Sequence, residues 1–582
     1  MEFFYTSEKN TQILIALMKA HNIKKIVASP GTTNLCLVGS LQNDPYFEIY
    51  SSADERSAAY IACGLAAESG EPVALSCTGA TASRNYVSAM TEAYYRKLPI
   101  LAITSTQHPG RIGQHIAQVI DRTVPINDTV NLSVQVPTIN NAEDEWATTV
   151  QINKALLELR HRGGGPVHIN LATTYSKDFS VKELPDVRVI RRIGYDDELP
   201  FIEENSRVGI FVGAHQKMSD RLSKAIDSFC SAYDGVVICD HTSNYKGKYK
   251  VDADILMVQK QYNSPVKDLD IVIHIGEISG STLSVRAKQV WRVSPDGEIR
   301  DTFKKLTYVF EMEETRFFER YSSEAKDTTP KDKFVGEWKS ECNKIWADMP
   351  ELPFSNAWIA GKTLPLLPKG CVLHLGILNS LRTWNFYEID DSINVYSNTG
   401  GFGIDGCVSS LIGASLTDKN KLYFGTVGDL AFFYDMNAIG NRHVGNNIRI
   451  MVVNNGRGTE FRNYNHPAAR FGEDADMYMA AAGHYGKQSK DLLKHYSQDL
   501  GFEYICASNK EEYLEQVKYF TQQEMLKRPV LFEVFTDSAD ESSALEMIHN
   551  IETSTASSVK KLAKNILGDK GVETIKNLVK KG

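Results

Sequence analysis

Asp429 closes one apolar run, "KLYFGTVGD", and Asn454-Asn455 close the next, "NIRIMVVNN". A carboxylate oxygen, a neutral amide oxygen and a backbone carbonyl nearby form a donor set for a hard cation. Mg²⁺ takes oxygen ligands of this kind and shares its shell with phosphate oxygens. Gly428 lets the backbone approach a ligand, and the helix-like stretch from Ala431 would turn its first N–H groups toward a phosphate. The bland alternative is that Asp429 caps that helix and "NNGRG" is a turn. A second acid, Glu55, opens "ERSAAYIACGLAAES". Ala58, Ala59, Ile61, Ala62, Gly64, Leu65 and Ala66 cover nearly all faces of that helix, so it is expected to be buried. A carboxylate at its mouth then needs a partner. Otherwise Asp54 and Glu55 are favourable first-turn charges.

A rival motif overlaps the first site. "GFGIDG", Gly401 to Gly406, matches G-x-G-x-x-G, follows "INVYSN" and precedes "CVSSLIGASL", with Asp429 23 residues further on. A dinucleotide fold keeps its ribose-binding acid at about that distance. This reading leaves Asn454-Asn455 without a task and gives none to the first domain.

The elements that must position these residues alternate in type. "KKIVASPG", "FEIYSS", "PVALSCTG", "PILAITST", "LSVQVP" and "PVHINLA" read as strands, with helices expected over 54–68 and 81–97 between them. The polar stretch "YSKDFSVKELPDVRVIRRIGYDDELP" reads as a linker. A second set follows, "RVGIFVGA", "GVVICDH", "DIVIHIGE", "QVWRVSP" and "TYVFEM", closed by a charged helical segment over 313–346. A third set comprises "GCVLHLG", "SINVYSN", "KLYFGTVGD", "NIRIMVVNN" and "PVLFEVFT". Such alternation predicts an α/β protein of three successive doubly wound parallel-sheet domains. Their expected extents are 1–180, 190–347 and 354–540, with a basic, amphipathic, helix-prone tail at 541–582.

The totals exclude several classes. A net charge of −8 with pI near 6.0 gives no electrostatic footprint for nucleic acid. Nine scattered cysteines without a C-x-x-C pair argue against a disulfide framework and a thiolate zinc site. No apolar run reaches the ~18 residues of a membrane span, and the N-terminus lacks a signal-peptide core. A cytoplasmic location is the expectation.

"SPGTTNLCL", "ADERSAAYIACGLA" and "TGATASRNY" together resemble the pyrimidine-binding domain of thiamine diphosphate (ThDP) enzymes. "GDL", 23 residues and "NN" resemble the diphosphate motif of the same enzymes, one residue short. The similarity runs in order over residues 8–540. Its S-P-G-x-x-N, D-E-R-S-A-A, S-N-x-G-x-x-G-I-D-G and V-G-D-L…V-V-N-N patterns agree best with the 2-succinyl-5-enolpyruvyl-6-hydroxy-3-cyclohexene-1-carboxylate (SEPHCHC) synthases. "TGATASRN" and "IGQHIAQVIDR" lean toward acetolactate synthase.

The resemblance implies roles. Glu55 would hydrogen-bond the cofactor's aminopyrimidine and so activate it, and Gln118 would face the reacting carbon. Asp429, Asn455 and the carbonyl of Arg457 would hold Mg²⁺ on the diphosphate. Asn379 and Ser380 would touch the phosphates, and Ile404 would wedge the cofactor into its bent form. Pro30, Gly31, Thr78, Gly79, Gly403, Gly428, Leu430 and Thr459 complete the expected cofactor contacts. No FAD is expected. Because Glu55 and Asp429 lie in different domains, the resemblance implies a homodimer or homotetramer with sites at the subunit interface.

The departures fall on the substrate. Where the SEPHCHC synthases have S-R-N, this chain has Thr32-Thr33-Asn34. Their D-R-P is Gln107-His108-Pro109, an arginine is replaced by Thr399, and a G-K-R triplet becomes Gly280-Ser281-Thr282. Each lost charge-assisted contact weakens polycarboxylate binding, every 1.4 kcal/mol being about tenfold. A different product from that of the SEPHCHC synthases is therefore expected. Thr32, Thr33, His108 and Arg111 are candidate substrate contacts, with His115, Arg84 and Arg457 as further cations. Three functions fit: a carboligase passing the unit left by a 2-oxo acid to an acceptor, a plain 2-oxo acid decarboxylase, and a binding protein without catalysis.

Overall fold

The structure is a computed structural model and describes residues 4–281, 284–327, 329–484 and 489–552. Thr282 and most of the basic tail lie outside the described residues. The chain divides into two compact units, one of Met1–Asp197 with Asp296–Glu311, the other of Glu198–Pro295 with the chain from Met312 on.

In the first unit, β1 (Lys25–Ala28), β2 (Glu48–Ser51), β3 (Val73–Cys77), β4 (Ile100–Thr106), β5 (Leu132–Val136) and β6 (Val167–Ala172) form a sheet. All its pairings are parallel, in the order β2-β1-β3-β4-β6-β5. β3, β4 and β6 are buried at every residue, as near-continuous apolar strands covered on both faces must be. Ile13, Leu17, Leu41 and Ile152 pack in the core of one face; Ala58, Ala62, Met90 and Ala93 pack in that of the other. β7 (Arg191–Ile193) also belongs to this unit and pairs in parallel with Leu306–Phe310. The stretch expected as a linker thus holds a short strand, whose polar "RRI" carries no apolar signal.

In the second unit, β8 (Val208–Val212), β9 (Val236–Cys239), β10 (Lys250–Asp252), β11 (Asp268–Ile275) and β12 (Arg286–Val293) run in the parallel order β10-β9-β8-β11-β12. Leu306–Phe310 of the first unit is β13. β14 (Val372–Leu375), β15 (Asn394–Tyr396), β16 (Tyr423–Gly428), β17 (Ile448–Asn454), β18 (Glu503–Ala507) and β19 (Val530–Phe535) form the last sheet. Its order, β15-β14-β16-β17-β19-β18, repeats that of the first sheet strand for strand. The protein is therefore α/β with three all-parallel sheets, as expected.

Two expected helices are interrupted. Thr81–Asn85 and Val87–Arg96 are separate around Tyr86. Glu314–Glu324 and Lys333–Ala347 are likewise separate helices, and Pro330 between them cannot continue a helix. β10 and β18 are strands that the apolar pattern did not reveal: β10 has three residues, two of them charged, and β18 is partly exposed. Among the described residues, no helix is long and apolar enough to cross a membrane.

Candidate active site

In the last sheet the connection after β14 leads to β15 on one side and the connection after β16 leads to β17 on the other, so a crevice opens at the carboxyl ends of β14 and β16. Asn379 and Asp429 stand at the first helical positions after these two strands. Gly376 makes the approach close: its N–H donates to the Thr426 carbonyl at 2.7 Å, and a Cβ there would come 3.2 Å from Val427 Cα.

Asp429 is 4% exposed. Burial pushes its carboxyl up to about 6, against the backbone N–H groups of Leu430, Gly456 and Arg457, which favour the ionised form. The Leu430 N–H reaches Asp429 Oδ1 at 2.8 Å. β17 brings the second candidate ligand from the neighbouring strand, with Gly428 opposite Val453. Asn454 and Asn455 have different tasks. Asn454 Nδ2 donates to Glu533 Oε1 at 2.7 Å and Asn454 Oδ1 accepts from Gly456 N–H at 3.1 Å, so this side chain fixes the turn. Gly456 has φ +74°, a left-handed conformation that glycine adopts without strain. The Asn455 Oδ1 atom is buried and has no partner, as has Thr459 Oγ1.

An orphaned amide oxygen beside a buried carboxylate fits a hard cation, because each group lacks what a cation supplies. Among the described residues no group of three or more His, Cys, Asp or Glu could hold a metal ion; the candidate donors here are one carboxylate, one amide and backbone. The Arg457 side chain is tied at 2.8 Å to Asp476, which also holds Arg462 at 2.9 Å. Asn379 faces the Glu460 carboxylate, which Arg382 holds at 2.7 Å, while Ser380 is buried with its Oγ 3.5 Å from Asn356 Nδ2.

The rival G-x-G-x-x-G lies in a loop between β15 and the Cys407–Ser415 helix. β15 is an edge strand of three residues, away from the switch point at which a dinucleotide fold places its phosphates. Ile404 in that loop packs half-buried against the core of the sheet that holds Asp429.

In the first unit, Asp54 caps the Glu55–Ser69 helix by accepting the Ser57 N–H at 2.7 Å. Glu55 is half-buried, and its Oε2 accepts from Asn85 Nδ2 at 2.9 Å. The partner of this carboxylate is therefore a neutral amide. The helix itself departs from expectation: Ala58, Ala59, Ala62, Cys63 and Ala66 are buried, but Tyr60 and Ile61 are 47% and 45% exposed and Gly64 is exposed with them. Small residues all round do not make a helix buried when the sheet covers only one face.

The strand-end loops of this unit pack on one another. The Thr33 hydroxyl bonds that of Thr78 and accepts from the Gly79 N–H at 3.3 Å. A Cβ on Gly31 would come 2.8 Å from Thr78 Cβ. Thr33 is thus turned into the loop, whereas Pro30 and Thr32 are exposed. His108, Arg111 and Gln118 lie in an exposed segment: His108 Nδ1 accepts from Gly110 N–H at 3.1 Å, Arg111 bonds Gln107, and Gln118 has φ +63°. Asn85 and Glu533 are not among the expected site residues, although an acid inside the apolar run "PVLFEVFT" is a signal of a buried, bonded carboxylate.

The description "Thiamine pyrophosphate enzyme, N-terminal TPP binding domain" matches residues 9–124. The chain is 32% identical over 568 residues to a 2-succinyl-5-enolpyruvyl-6-hydroxy-3-cyclohexene-1-carboxylate synthase of Bacteroides fragilis, covering 93% of this chain and 98% of that protein. The synthases of Bacteroides thetaiotaomicron (32% over 563 residues, 93% and 98% covered) and Phocaeicola vulgatus (31% over 567 residues, 94% and 99% covered) are similar to the same extent. The chain belongs to the family of thiamine diphosphate-dependent enzymes that these synthases represent.

Proposed function

We propose that the protein is a ThDP- and Mg²⁺-dependent carboligase that decarboxylates a 2-oxo acid and transfers the remaining unit to a second, acceptor substrate. The observation that carries this reading is the unpartnered Asn455 Oδ1 beside the buried Asp429 carboxylate at the β14/β16 crevice. When bound, ThDP supplies an electron sink for the carbanion that loss of CO₂ leaves. Asp429, Asn455 and the Arg457 carbonyl hold the cation, and Asn379 and Ser380 flank the phosphate end. Glu55 holds and exchanges a proton at the aminopyrimidine N1′, oriented by Asn85. Pro30, Gly31, Thr78 and Gly79 would line the pyrimidine end, and Ile404 with Gly403 would contact the cofactor from the loop after β15. Gln118, Thr32, His108 and Arg111 face the substrates. The chain works as a cytoplasmic homo-oligomer, a dimer or tetramer, in which the exposed face of the Glu55 helix is covered.

Ligation is favoured over plain decarboxylation because the relatives are synthases. Thr32-Thr33, Gln107-His108, Thr399 and Gly280-Ser281 stand where the resemblance places cations, so we propose an acceptor and donor other than isochorismate with 2-oxoglutarate. The test is incubation of the purified protein with ThDP, Mg²⁺ and a panel of 2-oxo acids, with and without acceptors. Stoichiometric free aldehyde would replace this reading by a decarboxylase, and turnover of isochorismate with 2-oxoglutarate would overturn the assignment of a different product. Glu55→Gln should lower kcat at least about a hundredfold, as loss of an acid–base group does, with unchanged circular dichroism.

A further inference from the structure

In the first unit a cavity of about 70 Å³ lies between the Thr81–Asn85 and Val87–Arg96 helices, β4 and the segment 122–130. Its polar lining includes Arg122, Thr104, His168, Arg84 and Tyr86, whose hydroxyl is buried without a partner, and Met90 and Ala102 are among its apolar residues. Arg122 is 5% exposed. One guanidinium nitrogen, Nη2, donates to Asn170 Oδ1 at 2.8 Å, while Nε and Nη1 are buried without any acceptor. Thr104 Oγ1 and His168 Nε2 bond each other at 2.7 Å, and Arg84 Nη2 donates to the Asp121 carbonyl at 3.0 Å. No aspartate or glutamate is found among the described residues that line the cavity. Burial draws Arg122 down to about 10 and, with the two arginines, His168 to about 3.

A buried cation with unused donors and no counter-charge is costly, and its cost disappears when an anion enters. Guanidinium N–H groups match the planar oxyanions of a carboxylate. The volume suits a carboxylate group, being about twice the ~30 Å³ share of one water in the liquid. Arg122 also lies against a loop assigned to the cofactor: a Cβ on Gly79 would come 3.0 Å from Arg122 Nη1.

We propose that this cavity is a carboxylate-binding subsite, with Arg122 as its charge partner, that takes the carboxylate of a small 2-oxo acid. The source of the carboxylate rests on the carboligase reading; the site itself does not. Binding of acetate to the full chain without ThDP, followed by titration calorimetry against chloride, tests the site directly. Arg122→Met is expected to weaken acetate binding about tenfold or more, a loss of ~1.4 kcal/mol. Val130→Phe, which fills the cavity and leaves the guanidinium in place, should do the same and covers the case in which Arg122→Met fails to fold. Unchanged acetate binding in a folded variant of either kind overturns the proposal, as does wild type that binds no acetate.

With ThDP and Mg²⁺ present, a raised KM for 2-oxo acids in Arg122→Met at unchanged ThDP affinity assigns the carboxylate to the substrate. Loss of acetate binding with unaltered KM overturns that assignment and leaves a site for free carboxylates. Wild type that binds acetate but not ThDP would refute the carboligase reading alone.

Discussion

Asn455 holds an amide oxygen that no donor reaches, next to a carboxylate that burial drives toward its neutral form. An unmet buried acceptor costs ~1–3 kcal/mol, so Asn455→Ala should leave the melting temperature of the metal-free chain unchanged or slightly raised. The same substitution should weaken Mg²⁺-dependent ThDP retention at least about tenfold, since a cation ligand is lost. Equilibrium dialysis of ThDP across a Mg²⁺ series measures it. Thr459 Oγ1 is orphaned in the same loop, whereas Asn454 is fully employed by Glu533 and Gly456. The Asn pair thus holds one side chain that braces the turn and one whose amide oxygen is left without a partner, a difference that the residue types alone do not show.

Helices and strands carry the next level. The Ser538–His549 helix brings Glu541 against the start of the Asn356–Thr363 helix, where its carboxylate accepts the Asn356 N–H at 2.9 and 3.0 Å and the Thr536 hydroxyl at 2.8 Å. Burial pushes this group from the ordinary 4.5 to about 7. Between those values the folded chain holds a proton that the unfolded chain has released, so stability falls as pH rises through the window. The effect amounts to a few kcal/mol at most, about 1.4 kcal/mol per pH unit. Glu541→Gln keeps an acceptor and removes the charge, so its melting temperature should fall less than that of wild type between pH 5 and pH 8. Equal falls would show that Glu541 titrates normally. Arg449, fully buried near the start of β17, is a second buried charged group that braces the chain: its guanidinium donates to the carbonyls of Phe520, Gln522 and Glu524 at 2.5–2.7 Å and so anchors the segment that leads to β19.

At the scale of the molecule, the first and last sheets share one strand order, and the candidate cofactor residues occupy equivalent loops, those after the first and third strands of each. In the first unit these are Pro30-Gly31 and Thr78-Gly79; in the second, Asn379-Ser380 and Gly428-Asp429. A doubly wound sheet offers its ligand crevice at that place whatever the side chains are, so the same architecture presents equivalent candidate loops in each unit. The exposed Tyr60 and Ile61 on the Glu55 helix, 47% and 45% accessible, form an apolar face beside a candidate catalytic acid. Ile61→Asp should shift the protein toward monomer and lower activity at least about tenfold, since a desolvated charge at an interface costs more than 1.4 kcal/mol. Light scattering at matched concentrations checks it, and an unchanged mass would show that this face is free.

Much of this was legible in the residues because it depends on local order. The alternation of apolar runs with helical segments specified parallel α/β sheets, and Gly428-Asp429 with Asn454-Asn455 marked two strand ends. Polar strands such as Arg191–Ile193 and Lys250–Asp252 escaped, since a short strand held by backbone bonds has no apolar period to show. The sequence by itself determined the cofactor family, because the motifs that bind a common cofactor are contiguous in the chain. Only the tertiary structure decided the partners: Asn85 for Glu55, Glu533 for Asn454, and a buried Arg122 with free donors. Those pairings join residues 30 to 79 positions apart, or depend on which atoms a fold deprives of water, and neither follows from spacing along the chain.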